Sequence, residues 1–193
     1  DSHQIGGSSF AQVLNSIGDK APTVTSAADF KIIFNTIQDL IKQNKIVAGH
    51  DIGSGGLITT LLELCFANNN LGAEIHLSEV MENDSIKLLF SENSGIVFQA
   101  KKDIDLASAF EEKGIKYHKI GTANNSGTLN INNNQDIFTL DITTYRDIWY
   151  KTSYLLDQKQ TANNLAKDRF DAYDKAVAQY SDMADYPSKS HIK

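Results

Sequence analysis

The stretch KIVAGHDIGSGGLITTLLELCFA, residues 45–67, decides the fold because it leads from a strand through a glycine-rich turn into a helix. Residues 45–51 form a short segment with β-branched and small side chains, which is the pattern of a buried strand. Residues 57–66 are apolar nearly all the way round a helix, which is typical of a helix in the centre of a domain. The stretch therefore predicts a central helix packed on a sheet.

Strands and helices alternate on the C-terminal side of this stretch. Strands are predicted at residues 73–78, 95–100 and 115–120, and helices at residues 84–90 and 103–113. Two further strands, residues 128–132 and 136–140, flank Asn133-Asn134-Gln135 and predict a hairpin. Together these elements predict an α/β (α+β) fold, a layered domain in which helices flank a mixed, twisted sheet.

Amphipathic helices are predicted on both sides of the central stretch. A short helix at residues 8–17 follows Gly6-Gly7, and Ser26 with Asp29 has the spacing of a capped start to a second helix. The apolar stripe of the second helix is Phe30, Ile33, Phe34, Ile37, Leu40 and Ile41. The stripe of a C-terminal helix is Tyr145, Ile148, Trp149, Thr152 and Leu156. Each stripe predicts packing against a sheet or another helix.

The composition changes near the C-terminus. Residues 158–193 are polar and poor in branched aliphatic side chains, so they are not expected to build a core. One weak amphipathic helix is predicted there, with Phe170, Tyr173, Val177 and Tyr180 on its apolar side. We therefore expect a domain at residues 1–157 and a partly helical connector at residues 158–193.

The composition also argues against several classes of function. The net charge is -6 without a long basic run, which argues against a nucleic acid or an anionic membrane as the main partner. Cys65 is the only cysteine and lies in an apolar run, so a buried thiol is predicted rather than a disulfide or a thiolate zinc site. No signal-peptide pattern and no apolar stretch of roughly 18 residues is present, so we expect a cytoplasmic protein. The missing initiator methionine predicts a piece of a longer polypeptide.

The glycine-rich turn itself has two interpretations. Backbone N–H groups of Gly53, Ser54, Gly55 and Gly56, at the start of a helix, can face a phosphate, and Asp51 can hold Mg²⁺. The alternative is a turn whose glycines only let a buried helix pack close to a strand, and the pattern alone favours it. The stretch matches neither the P-loop nor the Rossmann fingerprint.

A second turn of the same kind, Gly6-Gly7-Ser8-Ser9, precedes the first predicted helix. It is a possible anion-binding turn for the same reason. The alternative is a serine N-cap that follows a flexible turn.

The histidines do not predict a catalytic centre. His50 ends a predicted strand, where a histidine more often bonds neighbouring backbone, and no Ser/His/Asp or Cys/His triad can be assigned around it. His76 and His118 alternate with apolar residues in predicted strands and have no metal-ligand spacing. No catalytic residue is therefore assigned.

Four stretches in order resemble the AIR-synthase-related superfamily. They are IGGSSFAQVLNSIGD at 5–19, GHDIGSGGLITTLLELCFA at 49–67, LLFSENSGIVFQ at 88–99 and TTYRDIWYKTSYLLD at 143–157. The fourth is similar to the second C-terminal AIR-synthase-like domain of the large phosphoribosylformylglycinamidine synthases. The resemblance covers about residues 4–157.

The resemblance implies part of an ATP- and glutamine-dependent ligase that converts formylglycinamide ribonucleotide to its amidine. It implies that this domain holds an auxiliary nucleotide, ATP or ADP, with Mg²⁺, and that its partners are other AIR-synthase-like domains and a glutaminase domain of the same polypeptide. Asp51 matches a Mg²⁺ ligand in the family motif HDxSDGG. Gly53 and Ser54 replace the serine and the second acid of that motif. The chain alone is expected to be inactive.

Three further residues come from the resemblance. Glu92 matches an acidic position of the superfamily, although a polar residue at the start of a strand is the interpretation we favour. Arg146 and Trp149 are expected to pack at a domain boundary rather than touch substrate. The alternatives are a superfamily enzyme of the selenophosphate synthetase or thiamine-phosphate kinase type, and a structural module without ligand.

Overall fold

The computed structural model describes residues 3–68, 70–80, 82–102 and 104–176, with the backbone alone for residues 173–176. The helices are α1 (Ser9–Val13), α2 (Ala27–Lys42), α3 (Gly56–Cys65), α4 (Ser85–Phe90), α5 (Ala107–Glu111), α6 (Ile142–Gln160) and α7 (Leu165–Ala176). The strands are β1 (Ile46–Asp51), β2 (Gly72–His76), β3 (Ile96–Ala100), β4 (Gly121–Asn124), β5 (Thr128–Asn133) and β6 (Asp136–Asp141).

The strands form two separate sheets. The larger sheet has the order β4-β2-β5-β6, in which β2 runs parallel to β5 and the other two pairings are antiparallel. The smaller sheet is the antiparallel pair β1 and β3, in which Asp51 lies opposite Ile96. The predicted mixed sheet with flanking helices is confirmed.

The main core lies between the larger sheet and α3. Its most deeply buried side chains, all with no exposed surface, are Leu77, Leu129, Ile131 and Ile142. α3 contributes Leu57, Leu61 and Cys65 to the same cluster, so the predicted central helix is confirmed. Burial raises the pKa of the Cys65 thiol, as expected for an inert core cysteine. We call the larger sheet with α3 and α4 the sheet region.

A smaller core lies beneath β1 and β3 and involves α2 and α5. Its buried members are Ile37, Leu40, Leu106, Phe110 and Ile115. We call β1, β3, α2 and α5 the paired-strand region. The stripe predicted on α2 packs only in part, since Phe30 is 47% and Phe34 54% exposed. The prediction that β1 is buried is wrong. Among the described strands it pairs with β3 alone, and three consecutive residues, 47–49, stay exposed.

Two local predictions need correction in the segment that follows β3. The helix predicted at residues 103–113 is the shorter α5, and residue 103 lies outside the described residues. The strand predicted at residues 115–120 is wrong. Ile115 follows Gly114, whose φ is 64°, and packs in the smaller core. The paired residues of β2 and β4 begin at Gly121, and the carbonyl of Ile120 accepts one hydrogen bond of 2.7 Å from the N–H of His76. Residues 116–119 are all exposed, so the burial of this segment does not alternate.

The start of α2 and the hairpin agree with the sequence predictions, whereas the helix predicted at residues 8–17 is the shorter α1, which ends at Val13. The hydroxyl of Ser26 accepts a hydrogen bond from the N–H of Asp29, which confirms the predicted start of α2. β5 and β6 form the predicted hairpin, and Asn134 has a φ of 57° in its turn. The turn is Asn134-Gln135, one residue shorter than predicted, because Asn133 pairs with Asp136.

The C-terminal helices pack against each other. The boundary predicted at residue 157 falls inside α6, which continues to Gln160. Arg169 of α7 donates to both carboxylate oxygens of Asp157, at 2.6 and 2.8 Å, and the ring of Phe170 lies 4.5 Å from that of Tyr154. The side chain of Tyr173, together with Val177 and Tyr180, lies outside the described residues. The division into residues 1–157 and 158–193 stays a prediction.

Within the described ranges, none of the helices has the length and apolar character needed to cross a membrane.

Candidate functional site: two glycine-rich turns joined by one carboxylate

The first predicted turn connects β1 to α3. β1 ends at Asp51, and α3 begins at Gly56 after Gly55, its N-cap. Gly55 and Gly56 have φ values of 88° and 77°, which glycine adopts far more readily than residues with a Cβ atom. We refer to residues 51–56 as the Asp51 turn.

The glycines of the Asp51 turn have different surroundings. A Cβ atom on Gly56 would lie 2.6 Å from the carbonyl oxygen of Leu89 and 2.8 Å from the carbonyl carbon of Phe90, so this glycine lets α3 approach the end of α4. A Cβ atom on Gly53 would meet only the carboxylate of Asp51, at 4.0 Å. The turn therefore has one tightly packed side, at Gly56, and one open side, at Gly53.

The carboxylate of Asp51 lies on the open side. Its side chain is 86% exposed, whereas its backbone carbonyl accepts a hydrogen bond from the hydroxyl of Thr60 in α3 at 3.0 Å. The described residues contain no group of three or more His, Cys, Asp or Glu side chains that could hold a metal. The Mg²⁺ role expected of Asp51 stays a prediction.

Two of the four N–H groups in residues 53–56 are already used within the chain. The N–H of Gly56 donates to the carbonyl of Gly53 at 3.0 Å, and the N–H of Gly55 donates to Oε1 of Glu92 at 2.8 Å. The N–H groups of Gly53 and Ser54 make no hydrogen bond within the described residues. These two are the donors that remain for an anion.

The second predicted turn, residues 6–9, meets the first one. Ser8 is buried and caps α1, because its hydroxyl accepts from the N–H of Ala11, so the N-cap alternative is confirmed. The next residue, Ser9, donates its backbone N–H to Oε1 of Glu92 at 2.8 Å. We call residues 6–9 the Ser9 turn. One carboxylate oxygen therefore binds both turns.

Glu92 is the residue that the sequence interpretation undervalued. The sequence favours a polar residue at the start of a strand, but the Glu92 side chain joins segments 83 and 37 residues away. Partial burial raises the pKa of Glu92, whereas hydrogen bonds from Ser9 and Gly55 lower it, and the net result is a pKa below the usual value. The match to an acidic position of the superfamily was the only sequence signal that pointed to this residue.

His50 is held by a second carboxylate. Its Nε2 lies 3.0 Å from Oε2 of Glu63 in α3. The other carboxylate oxygen of Glu63, Oε1, accepts a hydrogen bond of 2.8 Å from the indole N–H of Trp149 in α6. The ring of Trp149 also lies 5.8 Å from that of Phe66. This arrangement ties β1, α3 and α6 together, which fits the packing role expected for Trp149. Arg146, one turn earlier in α6, is buried.

Comparison with known proteins identifies the family of this chain. The family described as "AIR synthase related protein, C-terminal domain" matches residues 1–132. The chain is 34% identical over 130 residues to a "Probable phosphoribosylformylglycinamidine synthase" of Caenorhabditis elegans. That match covers 62% of this chain but only 10% of the length of the relative.

Two solved structures share the fold. The one titled "T. maritima PurL complexed with FGAR" is 20% identical with a TM-score of 0.53, and the match covers 67% of this chain and 23% of that chain. "Structure of PurLQS from Thermotoga maritima" is 19% identical with a TM-score of 0.52, covering 73% of this chain and 25% of that chain. The layered fold described above is thus that of an AIR-synthase-like domain, and the chain belongs to the family of AIR synthase related proteins, C-terminal domain.

Proposed function

We propose that this chain is a domain of a cytoplasmic phosphoribosylformylglycinamidine synthase, an ATP-dependent ligase that forms a carbon–nitrogen bond with nitrogen from glutamine. The observation that carries the proposal is the 34% identity over 130 residues to the relative of that name. In this reaction formylglycinamide ribonucleotide becomes the corresponding amidine. The chain contributes to the synthetase core, and the catalytic residues lie elsewhere in the polypeptide.

Within this function, the Asp51 turn is the auxiliary site for ATP or ADP and Mg²⁺. Asp51 offers one exposed carboxylate to the cation, and Gly53 and Ser54 offer N–H groups to phosphate oxygens. Bound Mg²⁺ neutralises negative charge on those oxygens. The positive φ values of Gly55 and Gly56 keep the turn in the shape that exposes the N–H groups of Gly53 and Ser54.

The partners of the chain are other AIR-synthase-like domains and a glutaminase domain of the same polypeptide. Two helices support this, because each carries large apolar side chains with substantial exposed surface. These exposed side chains are Phe30, Ile33, Phe34 and Ile41 on α2, and Ile148, Trp149, Leu155 and Leu156 on α6. Apolar surface of this extent is typical of contacts between domains.

Asp51→Asn in the complete polypeptide tests the proposal. Removing a full charge from a site with one protein carboxylate should lower the nucleotide retained through purification several-fold and reduce the rise in melting temperature caused by added Mg²⁺ and ADP. Asp39→Asn is the control, because Asp39 is an exposed carboxylate on α2 in the paired-strand region. Equal nucleotide content and equal melting temperatures in the parent and both variants would contradict the nucleotide site.

A structural module without ligand is the second candidate. It is favoured by Gly53, which lacks the hydroxyl of the family motif, and by the use of the Gly55 and Gly56 N–H groups within the chain. This candidate predicts that Asp51→Asn leaves nucleotide content unchanged. In that case the domain still belongs to the synthase, but the Asp51 turn only packs α3 against α4.

A further inference from the structure

The contact that the proposed function leaves unexplained is the one between Glu92 and the two turns. Oε1 of Glu92 accepts hydrogen bonds of 2.8 Å from the N–H groups of both Ser9 and Gly55. Ser9 belongs to the N-terminal segment and has no part in the proposed phosphate turn. We propose that Glu92 is a positioning residue that couples the Ser9 turn to the Asp51 turn, so that the Asp51 turn holds its ligand-ready shape only while the Ser9 turn is docked.

The backbone around Glu92 makes it a rigid bridge. Ser91 is 2% exposed, and the N–H of Ile52, inside the Asp51 turn, donates to the carbonyl of Gly95 at 2.9 Å. Asp51 lies opposite Ile96 in the β1–β3 ladder. The segment that carries Glu92 is therefore fixed to the Asp51 turn by main-chain hydrogen bonds. The side chain then reaches the Ser9 turn from a fixed base.

The Ser9 turn docks on the stretch that carries Glu92. The N–H of Gly6 donates to the carbonyl of Lys20, so this turn closes on its own segment. Two contacts of its segment with the rest of the chain are the Ser9–Glu92 hydrogen bond and the packing of the Phe10 and Phe90 rings, whose centroids are 4.6 Å apart. Phe90 precedes the Glu92 segment directly, so both contacts converge on the same short stretch.

The charge of Glu92 explains why two donors share one oxygen. A carboxylate oxygen accepts stronger hydrogen bonds than a neutral oxygen and has more than one lone-pair direction. Its position near the N-terminus of α3 is favourable for a negative charge. When the Ser9 donor is lost, Glu92 loses one of the two N–H groups that orient it. The Gly55 N–H, and with it the turn from Asp51 to Gly56, is then held less firmly.

Ser9→Pro in the complete polypeptide is the sharpest test, because proline lacks the N–H that binds Glu92. Ser9 is the first residue of α1, a helix position that tolerates proline, and Ser8 before it has φ of -67° and ψ of 161°, an extended conformation that suits a residue before proline. The Ser9 hydroxyl also hydrogen-bonds the carboxylate of Glu92, so Ser9→Thr, which keeps both the hydroxyl and the N–H, is the matched control. The coupling rests on the proposed nucleotide site, but the first of its two readouts is made without nucleotide.

The first readout is hydrogen exchange of peptides that cover residues 5–12 and 51–58, measured by mass spectrometry without nucleotide. Ser9→Pro should speed exchange several-fold in residues 51–58, which are distant in sequence from the substitution, whereas Ser9→Thr should match the parent there. Unchanged exchange in residues 51–58 of Ser9→Pro would overturn the coupling.

The second readout is the nucleotide retained by the same variants. Ser9→Pro should lower the retained nucleotide several-fold, and Ser9→Thr should not. Faster exchange with unchanged nucleotide would overturn the claim that the coupling serves the ligand. If Asp51→Asn is also without effect, the proposed nucleotide site itself fails.

Glu92 variants provide an independent check if Ser9→Pro folds poorly. Glu92→Gln keeps an acceptor oxygen in the same place, whereas Glu92→Ala removes it. The coupling predicts that exchange in both peptides rises in Glu92→Ala and is largely restored in Glu92→Gln. Asp84→Ala is the control, because Oδ1 of Asp84 also accepts from two backbone N–H groups, those of Ile86 and Lys87, but within one local segment. A rise in only one of the two peptides would overturn the proposal.

Discussion

The sheet region and the paired-strand region are built from similar apolar sequences but bury them to different extents. In the sheet region, Leu129, Ile131 and Ile142 have no exposed surface. In the paired-strand region, Phe30 and Phe34 keep about half of their surface exposed, although they belong to the most regular apolar stripe in the sequence. The first region completes its core within the chain, and the second leaves part of its apolar surface uncovered.

The difference follows from strand pairing. β2 and β5 each have a partner on both sides, so their apolar side chains are covered by neighbouring strands and by α3. β1 has one partner, and α2 covers the pair mainly with Ile37 and Leu40. The Asp51 turn lies where β1 of the paired-strand region leads into α3 of the sheet region. The candidate site is therefore supported on one side by a complete core and on the other by an incomplete one.

The largest effect should come from truncating a core side chain of the sheet region. Ile131→Ala is expected to lower the free energy of unfolding by about 2–5 kcal/mol, because a fully buried isoleucine leaves a cavity. Phe34→Ala in the paired-strand region should cost much less, since that side chain is 54% exposed. Urea unfolding of the chain with each substitution measures both. Similar losses would show that α2 is covered in solution, for example by a second copy, and would break the comparison.

A smaller effect is expected at the turn between the two regions. Gly56→Ala should destabilise the chain by about 1–3 kcal/mol, because alanine is strained at a φ of 77° and its Cβ would overlap the backbone of Leu89 and Phe90. Gly53→Ala is the matched substitution on the open side, where a Cβ meets nothing closer than 4.0 Å. It should leave the free energy of unfolding nearly unchanged. Equal losses at the two positions would mean that the open side is packed as well.

The smallest effect is a pH dependence from Glu92. Its folded-state pKa is lowered below the unfolded value of about 4.3. Its contribution to stability is therefore fully present above that value and is lost as the pH falls through the folded-state pKa. The melting temperature should fall less steeply below about pH 4.5 in Glu92→Gln than in the parent.

Asp141 is a second carboxylate whose acid sensitivity remains when Glu92 is replaced. Hydrogen bonds from the hydroxyl and the N–H of Thr144 lower the pKa of Asp141, so it contributes acid sensitivity in the same direction. That contribution remains in Glu92→Gln, and some loss of stability in acid should persist. Identical acid profiles for the parent and Glu92→Gln would show that the Glu92 hydrogen bonds contribute nothing measurable in solution.

The sequence predicted best what short segments determine by themselves. α3, the hairpin of β5 and β6, and the cap at Ser26 follow from local periodicity and turn chemistry, and all are present. The strand predicted at residues 115–120 failed because alternation does not supply a partner strand. The role of Glu92 depends on contacts across 83 and 37 residues, which no local spacing encodes. The metal and nucleotide roles of the Asp51 turn stay predictions.

The bridge from His50 through Glu63 to Trp149 gives the chain an optical reporter. Trp149 is its single tryptophan, and the indole N–H is bonded to a carboxylate whose other oxygen contacts the histidine next to Asp51. Indole emission depends on the electric field and the hydrogen bonding at the ring. A rearrangement of the Asp51 turn that moves His50 will therefore change the fluorescence of Trp149 without any added dye.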